Sequence, residues 1–474
     1  MIKILLLLLY FAGWTAIPHL LLLKKRPQAT LAWLWAILFI PYVGTLAYLA
    51  IGTDRLKRKR LKRRLQYSTH KLRRGPQSTD AATDTLVRRL PRSDQEFLQL
   101  LSCIHRLPIS SAEEIHLLRN SAQFYPALEK RIDEAQLHIH LEFYIWEDDQ
   151  AGRRILNRLT QAAQRGVEVR LMLDEMGSRG FGEDTIREYR AAGGRFSWFQ
   201  SLDPRRNRFF FNLRNHRKLQ IVDGRIAFVG GMNIGRDYEG LNPNLGDWRD
   251  AQVEVRGRVA TELQAVFADD WYFATEERLA APGYFPSDFG PPRYPVHIVM
   301  GGPDCRNEPI SKSFVSLLNL ASQRAWIATG YFVPDDTLLN ALELAAARGV
   351  DVRLLVSEKT DHPYLVTVGR SYYAELLAMG VRIFEYSAAI NHAKIAIADD
   401  RWGMVGSANL DYRSMRLNFE LNLLFHAPDQ NAALALIFDE DFALCQEIEP
   451  AVFHRRPFRR KFFEAALRPL SPLL

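Results

Sequence analysis

Residues 215–233 read NHRKLQIVDGRIAFVGGMN, and residues 391–409 read NHAKIAIADDRWGMVGSAN. The two stretches align without a gap. His216, Lys218, Asp223, Gly230 and Asn233 match His392, Lys394, Asp399, Gly406 and Asn409. In the first copy, Leu219–Val222 and Ile226–Val229 flank Asp223-Gly224, a favoured two-residue turn, which predicts a β-hairpin. Residues two apart on an extended strand point to one face, so His216 and Lys218 project together, as do His392 and Lys394. A single copy reads equally well as polar residues on the solvent face of a strand. Two complete copies, each closing on small residues and an Asn, point to a site that attacks and clamps a phosphate diester.

The repeat is wider than this motif. FYIWEDD at 143–149 answers GYFVPDD at 330–336, pairing Tyr144 with Tyr331 and Asp149 with Asp336. RGVEVRLML at 165–173 answers RGVDVRLLV at 348–356. A repeat of roughly 180 residues is too long for a solenoid unit and predicts two fused homologous lobes. VEVRLML and VDVRLLV are short β-branched and apolar runs that read as buried strands. The stretches after Asp149 and Asp336 carry Leu and Ala at helical spacing. Strands alternating with helices predict an α/β fold with mixed, mostly parallel sheets flanked by helices. The Pro- and Gly-rich PGYFPSDFGPPRYP at 282–295 separates a first lobe, 96–285, from a second, 295–474.

The spacing resembles the HKD signature of the phospholipase D superfamily, over about residues 100–450. The resemblance implies that both copies meet at one pseudo-twofold site between the lobes. Breaking a phosphodiester needs a nucleophile on phosphorus, neutralisation of the oxygens and a proton for the departing alkoxide. Imidazole titrates near ~6.5, so one neutral ring can attack while a second, protonated ring supplies the proton. The resemblance assigns His216 as the nucleophile that forms a phosphohistidine, and His392 as acid and then base. The residues alone do not distinguish the two. Lys218 and Lys394 bring positive charge, and Asn233 and Asn409 amide donors, to the phosphate. Two ammonium groups take the place of a cation, so neither metal nor cofactor is expected. The resemblance also implies a downstream acid for each histidine: Asp250 follows the first copy and Glu420 the second. Asp223 and Asp399 belong to the catalytic signature, although their place at the hairpin turn favours a structural role. His138 and His140 alternate on an apolar strand without partner ligands and read as packing residues.

Ahead of the lobes, Ile4–Leu23 is a run of 20 uncharged, mostly apolar residues, and Leu31–Ile51 is another of 21. About 20 such residues cross a bilayer as a helix, which predicts a transmembrane helical hairpin over 1–53 and a polar tether over 54–95. Residues 1–75 hold 15 Lys and Arg against one acid, Asp54, a net +14. The whole chain is +8, so residues 76–474 carry −6. Eight of those basic residues lie in RLKRKRLKRR at 55–64, which favours cytoplasmic termini and lobes and is placed to meet anionic headgroups. The C-terminal HRRPFRRKFFEAALRPLSPLL reads equally as a membrane-surface helix or a packed terminal helix. The three cysteines, Cys103, Cys305 and Cys445, form no CxxC and exclude a disulfide framework.

The whole architecture is similar to bacterial cardiolipin synthases of the two-span kind. The similarity is carried by RPQATLAWLWAILFIPYVGTLAYLAIG at 26–52, GGMNIGRDYEG at 230–240, DWRD at 247–250 and the terminal LSPLL. It implies phosphatidyl transfer between two phosphatidylglycerol molecules at the bacterial inner membrane, with other anionic phospholipids as partners. The alternative is a membrane-bound phospholipase D that uses water or another alcohol. A nuclease would favour a basic catalytic surface, which the −6 of the lobes argues against, so no nucleic-acid partner is expected. A non-catalytic scaffold would be expected to have lost one signature, and both are complete.

Overall fold

The computed structural model describes residues 2–22, 27–49, 80–199, 214–242, 246–305 and 307–473. The basic run at 55–64 and the tether as far as residue 79 lie outside them. The chain divides into an N-terminal helical unit and a large unit carrying both repeats.

In the N-terminal unit, helices run over Ile2–Leu22, Pro27–Phe39 and Pro41–Ala47. The expected second span, Leu31–Ile51, is therefore not one helix. Pro41 disfavours helical geometry in the residue before it, and Ile40 sits at φ −128°, ψ 61°. The chain then folds back. A Cβ on Gly44 would meet the Ala36 carbonyl oxygen at 1.9 Å, so only glycine permits the approach. The Tyr48 hydroxyl lies 2.8 Å from His19 Nδ1. At ~1.5 Å per residue, the 13 residues of Pro27–Phe39 cover ~20 Å, less than a ~30 Å bilayer core. Among the described residues, no helix is long and apolar enough to cross a membrane.

The large unit holds two principal sheets. The seven-stranded sheet runs in the order Glu114–Leu118, Gln252–Arg256, Ile226–Gly230, Leu219–Val222, His138–Phe143, Glu168–Leu173, Arg195–Trp198. The nine-stranded sheet repeats this arrangement around Arg324–Thr329, Asp351–Ser357 and Arg382–Tyr386, with Ile395–Ala398 and Trp402–Gly406 as its signature hairpin. Both sheets are mixed, but they are mostly antiparallel, which corrects the sequence expectation. Only the strands joined through helices pair in parallel: His138–Phe143 with Glu168–Leu173 and then Arg195–Trp198, and their counterparts. The signature hairpins and the strands beyond them are antiparallel, because short turns at 223–225 and 399–401 reverse the chain within each hairpin.

The two sheets share one apolar core, in which Leu219, Ile221, Val229 and Val253 meet Ile395, Val405, Leu421 and Leu423. That core sets the two hairpins face to face. Helices Ala81–Arg88 and Arg92–His105 occupy part of the expected tether, and Leu98 and Leu101 enter the core of the second lobe. Asp94 is buried there, accepting from Trp402 Nε1 at 2.9 Å and from Arg401 at 2.7 Å. Strand Ser110–Ala112 then pairs antiparallel with the second sheet before the chain crosses to Glu114–Leu118 at the edge of the first.

Several histidines are packed as neutral rings. His140 stacks on Phe267 and hydrogen-bonds Gln264, with His138 beside it, as the packing reading expects. Burial pushes His138 down to about 4 and His105 to about 3, and holds His140 and His297 well below the ordinary value. An unfolded chain protonates these rings near ~6.5. Each therefore contributes stability that is complete above that pH and is lost as pH falls toward the folded value, at up to ~1.4 kcal/mol per pH unit per ring. Burial also raises Glu142 to about 8 and Glu147 and Glu262 to about 7, which opposes this loss across the same window, so the rings are followed directly: their NMR carbon–proton signals should not shift between pH 6.5 and 5. Titration of these rings within that window would exclude their neutral burial.

Candidate active site

Each signature strand delivers its histidine and lysine to one end of the shared core. His216 and His392 are both buried, and each lysine ammonium folds back to the carbonyl of its own histidine, Lys218 Nζ to His216 O at 2.8 Å and Lys394 to His392 O. The acids are exchanged between lobes. His216 Nδ1 donates to Glu420, 3.0 Å from both carboxylate oxygens, and His392 Nδ1 donates to Asp250 Oδ2 at 2.7 Å. The sequence reading placed each acid with the histidine of its own copy, and the structure corrects it. The cause lies in the backbone. Asn215 forms a parallel bridge with Phe419 and Arg249 one with Asn391, so the segment before each histidine is zipped to the segment before the other lobe's acid. His216 N donates to Phe419 O at 2.9 Å and His392 N to Arg249 O at 2.7 Å.

With Nδ1–H given to a carboxylate, each ring keeps its Nε2 for chemistry, as a lone pair when neutral and as an N–H when protonated. Burial is the main cause that pushes His216 down to about 4; Lys218 and Lys394 add to it, and Glu420 opposes it. His392 is lowered in the same sense, first by burial and then by Lys394. Burial also lowers Lys218 to about 7 and Lys394 to about 8. A phosphodiester between the lysines would favour their charged forms, since an anion restores what burial removes. Aromatic rings wall the site: Tyr144 lies 5.0 Å from the His216 ring, and Trp248 lies 5.5 Å from His392.

The model of the family described as "Cardiolipin synthase, PLD-like domain" matches residues 128–271 and 314–442, one stretch in each repeat. The cardiolipin synthase of Geobacillus thermodenitrificans is 36% identical over 462 residues, covering 95% of this chain and 90% of that one. The chain belongs to the cardiolipin synthase family. The major cardiolipin synthase of Bacillus subtilis is 32% identical over 485 residues, with all of both chains covered. A second family model, "Phospholipase D-nuclease N-terminal", matches residues 7–52. Among solved structures, the phosphatidylserine synthase of Haemophilus influenzae superposes with a TM-score of 0.60 at 16% identity, covering 80% of this chain and all of that one, a likeness of fold.

The remaining signature residues do not all reach the histidines. Asp223 sits at the far end of its strand, where Oδ1 accepts from the backbone N–H groups of Leu137 and His138 and Oδ2 from that of Gln136. Asp399 does the same for Ser322, Gln323 and Arg324. A catalytic role for these two aspartates is thereby corrected: they tie the hairpin turn to the start of the neighbouring strand. Asn233 uses its side-chain oxygen to hold Ile145 N at 3.1 Å. Asn409 lies beside Gly330 and His392, and its side-chain oxygen has no partner among the described residues.

Sequence reading missed the groups that hold the acids. Ser407 and Ser414 donate to the two oxygens of Glu420 at 2.6 and 2.8 Å. Gly231, in register with Ser407, faces Asp250 instead. A Cβ there would meet Asp250 Oδ1 at 2.2 Å. The Gly-Gly of one copy and Gly-Ser of the other were the available signal: the shorter acid needs an empty space and the longer one a hydroxyl. Gly231→Ala should push Asp250 off His392 and lower kcat by ~10² or more, the scale of general acid–base help. A variant with near wild-type kcat would show that Asp250 tolerates displacement.

Proposed function

We propose that this protein transfers a phosphatidyl group from one phosphatidylglycerol to a second, forming cardiolipin and releasing glycerol through a phosphohistidine on His216. The crossed histidine–carboxylate pairs around two buried lysines carry the reading, together with relatives named cardiolipin synthase along the whole chain. In the first step His216 Nε2 attacks phosphorus, the bond to the glycerol oxygen breaks, and His392 gives that oxygen a proton. In the second, His392 takes the proton from a hydroxyl of the acceptor headgroup, the new P–O bond forms, and the P–N bond to His216 breaks. Lys218 and Lys394 neutralise the non-bridging oxygens, with Asn233 and Asn409 as amide donors. Incubating the purified protein with labelled phosphatidylglycerol and resolving the products tests this. Cardiolipin and glycerol are expected; phosphatidic acid alone would favour hydrolysis by a phospholipase D.

Because two lysines do the work of a cation, turnover should survive excess EDTA. Loss of activity restored by a divalent ion, and reproduced at several detergent ratios, would overturn the two-lysine clamp.

The same proposal places the protein at the bacterial inner membrane through its apolar N-terminal hairpin, with the lobes on the cytoplasmic side. The +14 of residues 1–75 supports that orientation. The terminal helix Phe458–Leu467 supports surface contact as well. It buries Glu464 against Arg456 and Arg460 while Phe458, Phe462 and Phe463 stay exposed among basic residues.

A further inference from the structure

The two repeats match at the histidines, lysines and asparagines but diverge just outside them. The strands Glu168–Leu173 and Asp351–Ser357 occupy equivalent places, and the residues that follow stay in register. Asp174 Oδ2 accepts from Asn215 N, as Ser357 Oγ accepts from Asn391 N. Four residues on, the first copy has Ser178 and the second Asp361. Ser178 is buried, donating to Tyr144 O and accepting from Trp146 N. Asp361 is half exposed, its side chain 53% accessible.

We propose that Asp361, with Tyr331 and His362 beside it, is an alcohol subsite that binds a second hydroxyl of the glycerol headgroup leaving or entering on the His392 side. The Tyr331 hydroxyl donates to Asp361 Oδ1 at 2.5 Å, and Thr360 Oγ1 donates to the same oxygen at 3.1 Å. Oδ2 is 3.7 Å from His362 Nε2. The Tyr331 ring in turn stands edge-on to His392, with centroids 6.3 Å apart. Although burial opposes it, the Tyr331 hydroxyl and the charges of His362 and His392 hold the Asp361 carboxyl below its ordinary range.

The His216 side of the site adds arginines to its acids. The charges acting on Tyr144, beside His216, are those of Asp174, Arg214 and Arg413, together with that of Asp361 itself. The counterparts of these arginines in the other copy are Ile390 and Asp237. A carboxylate at the mouth of a site for anionic lipids repels its substrates, so it is suited to a neutral group rich in hydroxyls. Carboxylates are acceptor-only and bind O–H donors strongly. In an in-line displacement the leaving and entering oxygens lie opposite the nucleophile, on the side of the acid–base group. If one glycerol oxygen is at phosphorus, its neighbouring hydroxyl is within reach of a carboxylate beside that group. Water and simple alcohols have no second hydroxyl to offer.

The inference rests on the assignment of His216 and His392 made above, and its test uses free alcohols so that the two can fail separately. Full-length wild type, Asp361→Ala and Tyr331→Phe are loaded from a phosphatidyl-nitrophenol donor, then offered glycerol or ethanol at matched concentrations. Asp361→Ala should lower the ratio of phosphatidylglycerol to phosphatidylethanol by roughly 10- to 100-fold, the size of a lost hydrogen bond to a charged group. Loading of the enzyme should be unchanged. Tyr331→Phe should shift the ratio in the same direction and less far. An unchanged ratio, or an equal fall with both alcohols, would overturn the subsite; the latter would make Asp361 a positioning residue for His392. Failure of wild type to make cardiolipin from phosphatidylglycerol would sink the broader reading and still leave the alcohol ratio to be read.

Discussion

His216→Ala should form no covalent phosphatidyl-enzyme, whereas His392→Ala should form one as soon as the leaving group needs no proton. This is the largest difference expected between two variants of the protein. His392→Ala keeps a neutral nucleophile whose Nδ1–H is held by Glu420, but it has no acid for a glycerol alkoxide. General acid help is worth ~10²–10⁴ in rate, so turnover of phosphatidylglycerol should fall by at least that much. With a phosphatidyl-nitrophenol, the phenolate departs unaided and His392→Ala should be labelled at a rate near wild type. Rapid quench and detection of bound lipid phosphorus would measure it. Labelling of His216→Ala in place of His392→Ala would exchange the two roles, and no labelling of wild type under any condition would remove the covalent step.

Asp250→Asn should share the phenotype of His392→Ala, and Glu420→Gln that of His216→Ala. The pairing follows the hydrogen bonds across the lobes rather than the order of the sequence. Loss of a carboxylate lets its imidazole rotate and adopt the wrong tautomer, so each variant should lose ~10²–10⁴ in kcat with phosphatidylglycerol. The activated donor should rescue Asp250→Asn and leave Glu420→Gln inactive. Rescue of Glu420→Gln instead would mean that each acid serves the histidine of its own repeat, contrary to the backbone bridges at Asn215–Phe419 and Arg249–Asn391.

The sequence by itself determined the parts whose information is local. The His-x-Lys spacing fixed which side chains project together, Asp223-Gly224 fixed a tight turn, and both lie within a hairpin of a few residues; the turn residues indeed take left-handed φ of 53° and 65°. Repetition of those local patterns gave two lobes and a family. Only the tertiary structure decided matters that depend on which distant segments touch. Asp250 and His392 are 142 residues apart, and nothing in either neighbourhood encodes their hydrogen bond. The direction of most sheet pairs, the docking of Arg92–His105 on the second lobe, and the turn of the chain at Ile40 with Gly44 against Ala36 belong to the same class. So does the duty of Asp223 and Asp399, whose carboxylates could be placed only once the strands beside them were. Periodicity reports which face of an element is apolar, while the partner of that face is chosen by packing the whole core at once. A single shared core between the sheets is what brings both histidines, and the acids they exchange, to one place.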